Sequence, residues 1–361
     1  MFRQILTAVT KKVTFTMRKN MPVESWSARR NSCPASLRQD ETSRAQIGYS
    51  ATQPLLATHS ENEHLLIVAE NTTTFEKNRS KNPNFGIDLQ SGISFSNRYS
   101  NYARRLKDFV RRCRNAEVTH RWLDYWNSSR SHAQLARATP FLMQKIYRKY
   151  QSTTLCSTDR FSLLVSHYDF IFSRGLAPLV LKAAVASVKL GSFNGKTPFD
   201  IRMSSIRGHD REGELTLGIF QNQTLVFSVA FTCYKDANMS FIRVGALQGP
   251  SCEQRRDIVR KATKDMFGQR PKWLLIELVR AIAIECEFSY LILTSNQNRI
   301  AGKIHADYDG FWTELGAFCR PDGDFRLNIS PYLPVKKGGG RKDILRQTAI
   351  SIIRAHFGLA S

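Results

Sequence analysis

The sequence predicts an α+β fold: an antiparallel meander that continues into a mixed sheet with flanking helices, preceded by a basic helical region and a poorly ordered N-terminal arm. Three observations carry this. Residues 199–247 hold four strand-like runs rich in Val, Ile, Phe and Thr. The segments on either side keep helical spacing instead. The first 100 residues keep neither period.

Taken in order, residues 1–100 are rich in Ser, Thr, Asn and Gln. Such a stretch buries too little apolar surface to offset chain entropy, so it reads as a low-order arm. Residues 101–157 read as a basic, aromatic-rich helical region. Phe109, Val110, Trp122, Tyr125 and Trp126 recur at helical spacings between Arg104, Arg105, Lys107, Arg111, Arg112 and Arg114. A second helical stretch covers 142–150. Residues 158–361 read as the α+β domain. One or two helices fill 158–190, and strands run at 199–207, 213–220, 223–234 and 239–247. Hairpin turns are expected at 221–222 and 235–238. A polar helix (252–267), an apolar one (271–287), a buried strand (290–294), a helix ended by Gly316 (308–315), a last strand (325–329) and a terminal helix (342–356) follow.

Composition narrows the function classes. With 42% hydrophobic and 11% aromatic residues among 361, global disorder is excluded. The chain has 53 basic against 30 acidic residues, a net charge of +23. The first 150 residues hold +14 of this, with 25 basic against 11 acidic. The excess points to a polyanionic partner: an anionic membrane surface, nucleic acid or a phosphorylated ligand. Seven scattered cysteines without a Cys-x-x-Cys read as reduced thiols, and no metal site is expected. The apolar start at 5–9 meets Lys11 and Lys12 at once, so no secretory signal is expected, and no run is long enough to span a bilayer. The expected location is the cytoplasm or the inner face of the membrane.

Ordered blocks appear at 245–316. Gly245-Ala246-Leu247-Gln248-Gly249-Pro250 is followed by Lys261-Ala262-Thr263-Lys264, Arg270-Pro271-Lys272, Thr294-Ser295-Asn296 and Phe311-Trp312-Thr313-Glu314-Leu315-Gly316. In this order they resemble the bacterial VirK/YbjX family, over roughly 160–335. The basic stretch at 336–342 departs from the family in detail. The resemblance implies a Gram-negative protein linked to envelope integrity, resistance to cationic antimicrobial peptides and display of virulence factors. It implies no catalytic residue.

The order of elements is also similar to the N-acetyltransferase-like (GNAT) fold, in which backbone N–H groups at a helix N-terminus hold the pyrophosphate of coenzyme A. Gln248, Gly249 and Ser251 occupy the corresponding loop, with Arg255 and Arg256 as added charge. Against this, the family's usual glycine-rich loop is missing and Pro250 removes a donor. A plain strand-to-helix turn is the alternative.

His305, Asp307 and Tyr308 cluster near the end of the buried strand, where a His beside a carboxylate can act as general base. Asp307 can equally cap the helix at 308. Arg270 and Lys272, with the basic residues of 104–114, form a candidate anion-binding surface for lipid phosphates. Three readings stay open. The first is an accessory protein that binds an anionic membrane surface or an envelope-related protein. The second is an acyltransferase using acyl-CoA. The third is a nucleic-acid binder that stacks bases on Trp122 or Tyr147.

Overall fold

The structure, a computed structural model, describes residues 85–89, 91, 110, 112–139, 141–205, 211–300, 307–329 and 340–358. Arg104, Arg105, Lys107, Arg111 and His305 lie outside the described residues, as does the arm apart from 85–89 and 91.

Strands β1 (Val188–Asn194), β2 (Pro198–Ser205), β3 (Leu215–Gln221), β4 (Thr224–Lys235) and β5 (Ser240–Gln248) form an antiparallel meander. The chain then leaves the sheet and returns as β6 (Tyr290–Leu293), parallel to β5. The edge is completed antiparallel by β8 (Phe325–Asn328) and β7 (Phe318–Cys319), so the order is β1-β2-β3-β4-β5-β6-β8-β7. In β2 only alternate residues such as Phe199, Ile201 and Met203 are buried. In β5 every residue from Phe241 to Leu247 is buried, so both faces of the central sheet are covered.

Among the described residues the helices are α1 (Ala116–Trp126), α2 (Arg130–Ala138), α3 (Ser157–Ser173), α4 (Ala177–Val185), α5 (Arg255–Asp265), α6 (Pro271–Glu285), α7 (Tyr308–Glu314) and α8 (Arg341–Phe357). A 3₁₀ turn covers Leu142–Tyr147. Apolar on almost every side, α6 is buried against β3, β4, β5 and β6. Only Ala262 of α5 is buried, which leaves its charged residues at the surface.

The structure bears out the meander and the mixed sheet but corrects details. Residues 188–190, expected to end a helix, begin β1, because their backbone pairs with β2 and α8 closes over the strand at Gly191. A Cβ at Gly191 would lie 2.9 Å from Ile352, so the glycine sets how near the helix approaches. The first hairpin turns on Asn222 (φ 47°) and Gln223 (φ 67°), one residue later than expected, in the left-handed pair that matches strand twist. Residues 142–147 form a 3₁₀ turn in place of a longer helix, and β7 was not anticipated.

Part of the predicted arm is anchored. Ile87 and Leu89 are buried, and the Ile87 N–H donates to Asn127 Oδ1 at 3.0 Å while Asn127 Nδ2 donates back to the Ile87 carbonyl. Two apolar residues and one bidentate amide suffice to hold this short piece against α1.

Candidate anion-binding site

The family-like blocks, scattered over 70 residues of chain, converge in space. Tyr308 Oη donates to the Leu247 carbonyl at 3.0 Å and accepts from the Leu247 N–H at 2.9 Å. Trp312 Nε1 donates to the Thr294 carbonyl at 3.0 Å. Arg270 Nη1 pairs with Glu314 Oε1 at 2.8 Å, and Lys272 Nζ stands 3.8 Å above the Phe311 ring. One packed unit therefore joins the end of β5, the start of α6 and all of α7.

At this unit β5 and β6 part company. Their parallel pairing ends at Val244 and Leu293, while β5 continues to Gln248 alongside β4. The polar groups of Leu247 that face the resulting gap are the two taken by Tyr308. Burial raises the Tyr308 hydroxyl above its usual value, so it stays protonated and can donate. Asp307 caps α7, accepting the Gly310 N–H at 3.1 Å, and that bond, helped by Asn296, holds its carboxyl low. Of the expected acid–base group, Asp307 thus supplies a cap and Tyr308 a strand clamp.

The loop after β5 carries the residues nominated for a pyrophosphate. Gln248 and Gly249 are half-buried, Ser251 is exposed, and the Arg255 and Arg256 side chains point to the surface. Two first-turn amides are already used: the Arg255 N–H donates to Cys252 O at 3.2 Å and the Asp257 N–H to Gln254 O at 3.0 Å. Within the seat expected for a pyrophosphate, these two amides are taken by the chain's own carbonyls.

Better placed is a neighbouring depression of about 450 Å³ between α5 and the start of α6. Arg260 and Lys264, one turn apart on α5, line it together with Arg270 and Lys272, and its surface is almost wholly apolar, with Phe227, Val259 and Pro271 in its lining. Lys264 has no acidic partner among the described residues, whereas Arg260 has Asp257 at 3.4 Å in an exposed pair. Half-burial lowers the Lys272 ammonium from its usual value, adjacent Arg270 adds to this, and Glu314 opposes it. Arg270 and Lys272 were legible as an anion site. Arg260 and Lys264 were readable as an i,i+4 basic pair pointing the same way but were not singled out. Phe227 had no signal at all, since only the β4–β5 pairing brings it beneath α5.

The remaining basic candidates divide. Arg112 and Arg114 are exposed at the start of the helical region. Its aromatics face inward: Trp122 and Trp126 are fully buried, edge-to-face at 5.3 Å. Half-buried Tyr147 has its hydroxyl 2.6 Å from Thr119 Oγ1. Trp122 offers no face for base stacking, which leaves half-buried Tyr147 of the two residues expected to stack bases.

A second charged cluster is sealed inside. Lys145 pairs with Glu214, whose other carboxylate oxygen accepts from Tyr168 Oη, and Tyr150 Oη lies 2.7 Å from Thr232 Oγ1. Burial alone would raise the Glu214 carboxyl, but Lys145, His167 and two hydrogen bonds outweigh it and hold the group below its usual value. His167 Nδ1 accepts the Cys233 N–H at 3.2 Å, and burial pushes the imidazole down to about 4.

Fold and site together define an α+β protein with a cationic, apolar-floored ledge beside a divergent pair of parallel strands. The chain belongs to DUF535, a family described as proteins of unknown function, whose model matches residues 97–334. This agrees with the VirK/YbjX resemblance of the ordered blocks. It is similar to the uncharacterized protein YbjX of Escherichia coli K12, with 26% identity over 202 residues, 52% of this chain and 61% of that one. An uncharacterized protein of Haemophilus influenzae is 26% identical over 137 residues, 36% of this chain and 44% of its own. The chain thus matches about three fifths and under half of these relatives' lengths. A mutant cAMP-binding acyltransferase from Mycobacterium smegmatis aligns with 57% of this chain and 63% of its own at 10% identity and a TM-score of 0.27. At that score the two chain paths coincide too little to bear on fold or activity. Among the described residues no helix is long and apolar enough to cross a membrane.

Proposed function

We propose that this protein works by binding an anionic membrane surface, in support of bacterial envelope integrity, resistance to cationic antimicrobial peptides and display of virulence factors. The observation that supports the reading is the ledge where Arg260, Lys264, Arg270 and Lys272 surround an apolar floor. Cations around hydrocarbon suit a headgroup layer, which presents phosphate above acyl chains. The test is flotation of the purified protein with phosphatidylglycerol vesicles and with neutral phosphatidylcholine vesicles. Flotation with the anionic vesicles alone, falling as salt rises, is the expected result. Equal behaviour with both vesicle types overturns the reading.

A second reading, an acyltransferase that uses acyl-CoA, is favoured by one feature: β5 runs on from Val244 to Gln248 after its pairing with β6 has ended. It predicts a saturable rise in melting temperature with acyl-CoA, lost on changing Gln248 and Gly249. The Tyr308 clamp on Leu247 weighs against it.

A further inference from the structure

We infer that the depression between α5 and α6 is a stoichiometric site for the phosphate headgroup and first methylenes of one bilayer phospholipid. This rests on the membrane reading above and narrows it from a diffuse charged face to a single seat.

The charge balance supports an anion. Four basic residues line the depression, and three carboxylates, Asp257, Glu314 and Asp307, act on them, which leaves the cations in excess. Lys264 is exposed at the rim without an acidic partner among the described residues. Lys272 stands over the face of Phe311, where Glu314 and Asp307 also act on its charge. A phosphate bridging Arg270 and Lys264 would meet a planar fork on one side and a point charge on the other.

The floor decides what the phosphate is attached to. Phe227, Val259 and Pro271 offer no hydrogen bond, so a bare phosphate ion would leave hydrocarbon against water. Gly249 lies against that floor. A Cβ there would approach the Phe227 ring at 3.2 Å and Val259 Cγ2 at 3.8 Å. With glycine at this position the ring keeps its place in the depression. About 450 Å³ is the size of a small-ligand cleft, enough for a headgroup and the first part of its chains.

The test titrates the full-length protein with soluble dihexanoyl phosphatidate, with dihexanoylphosphatidylcholine and inorganic phosphate in parallel, read by calorimetry. Saturable one-to-one binding of the phosphatidate, with much weaker binding of the other two, is expected. Lys264→Glu, on an exposed side chain, should weaken it about tenfold or more. Val259→Trp should abolish it by filling the floor, and if that variant misfolds Lys264→Glu still decides. Binding unaffected by Lys264→Glu, or inorganic phosphate binding as tightly as phosphatidate, overturns the inference. No saturable binding together with salt-sensitive flotation sinks the single seat and leaves the membrane reading standing. Saturable binding without flotation of the wild type overturns the bilayer as its source.

Discussion

Lys145 and Lys264 belong to the same chain and meet opposite surroundings. Lys145 is 3% exposed, paired with Glu214 and lying 5.2 Å from the Tyr150 ring centre. Lys264 stands at the surface in the last turn of a helix that buries a single alanine. An ion taken out of water must be matched by its neighbours, so the interior cluster is nearly saturated with its own hydrogen bonds. An ion left in water carries no such requirement, and its charge remains available to something else. Sequence chemistry alone does not separate a structural lysine from a binding one; burial does.

Breaking the interior pair should have the largest effect. Glu214→Ala strands Lys145 without a counter-ion and should cost about 3–5 kcal/mol in urea unfolding. Adding Lys145→Met should recover much of it. A loss below about 1 kcal/mol would mean that Lys145 reaches water, and the contrast would fail.

Acid should attack the same cluster. His167 is held neutral down to about pH 4, while in the unfolded chain it takes a proton near its ordinary value of 6.5. The unfolded state therefore binds more protons between these limits, and stability falls as pH drops through that window, by roughly 3 kcal/mol in all. From about 4.5 downward, at the lower end of that window and beyond it, Glu214 adds to the loss, because its depressed carboxyl protonates more readily once unfolded. Urea midpoints across pH 4 to 7 should flatten in His167→Phe relative to wild type, leaving the slope from His132, which burial also lowers to about 4.

Gly245→Ala sharpens the comparison from the backbone side. Its Cβ would sit 1.9 Å from the Glu212 carbonyl oxygen, pushing away the segment that carries Glu214. About 1–3 kcal/mol should be lost in thermal melts. The smallest stability effect belongs to Lys264→Glu, expected within about 0.5 kcal/mol of wild type. The same change should reduce flotation with anionic vesicles. A large stability loss there would make Lys264 structural and erase the distinction.

Much of the fold was legible because its signals are local. Val226, Phe231, Ile242 and Val244 sit in β-rich runs, Asp307 precedes a short helix it caps, and Gly316 (φ 79°) ends it. The ordered blocks were enough to identify the family. Residues 188–190 were misread because Val188, Lys189 and Leu190 follow an alanine-rich helix, and only pairing with β2 makes them a strand. Phe85 to Leu89 were placed in the arm because five residues show no period. At the site, Arg270 and Lys272 could be nominated from charge. Gln248, Gly249 and Ser251 were nominated by their order in the chain, which does not say whether the helix amides beside them are already occupied.

By itself, the sequence determined the net charge of +23, the meander, the helix that follows it and the family, all properties of neighbouring residues or of residue counts. Tertiary structure alone decided which lysine is sealed inside and which stands at the surface. It decided that Tyr308 closes on Leu247, 61 residues earlier, and that Phe227 of β4 forms the floor beneath two helices. These outcomes depend on distances between residues far apart in the chain, and burial, which sets the strength of every charge involved, exists only once those distances are fixed.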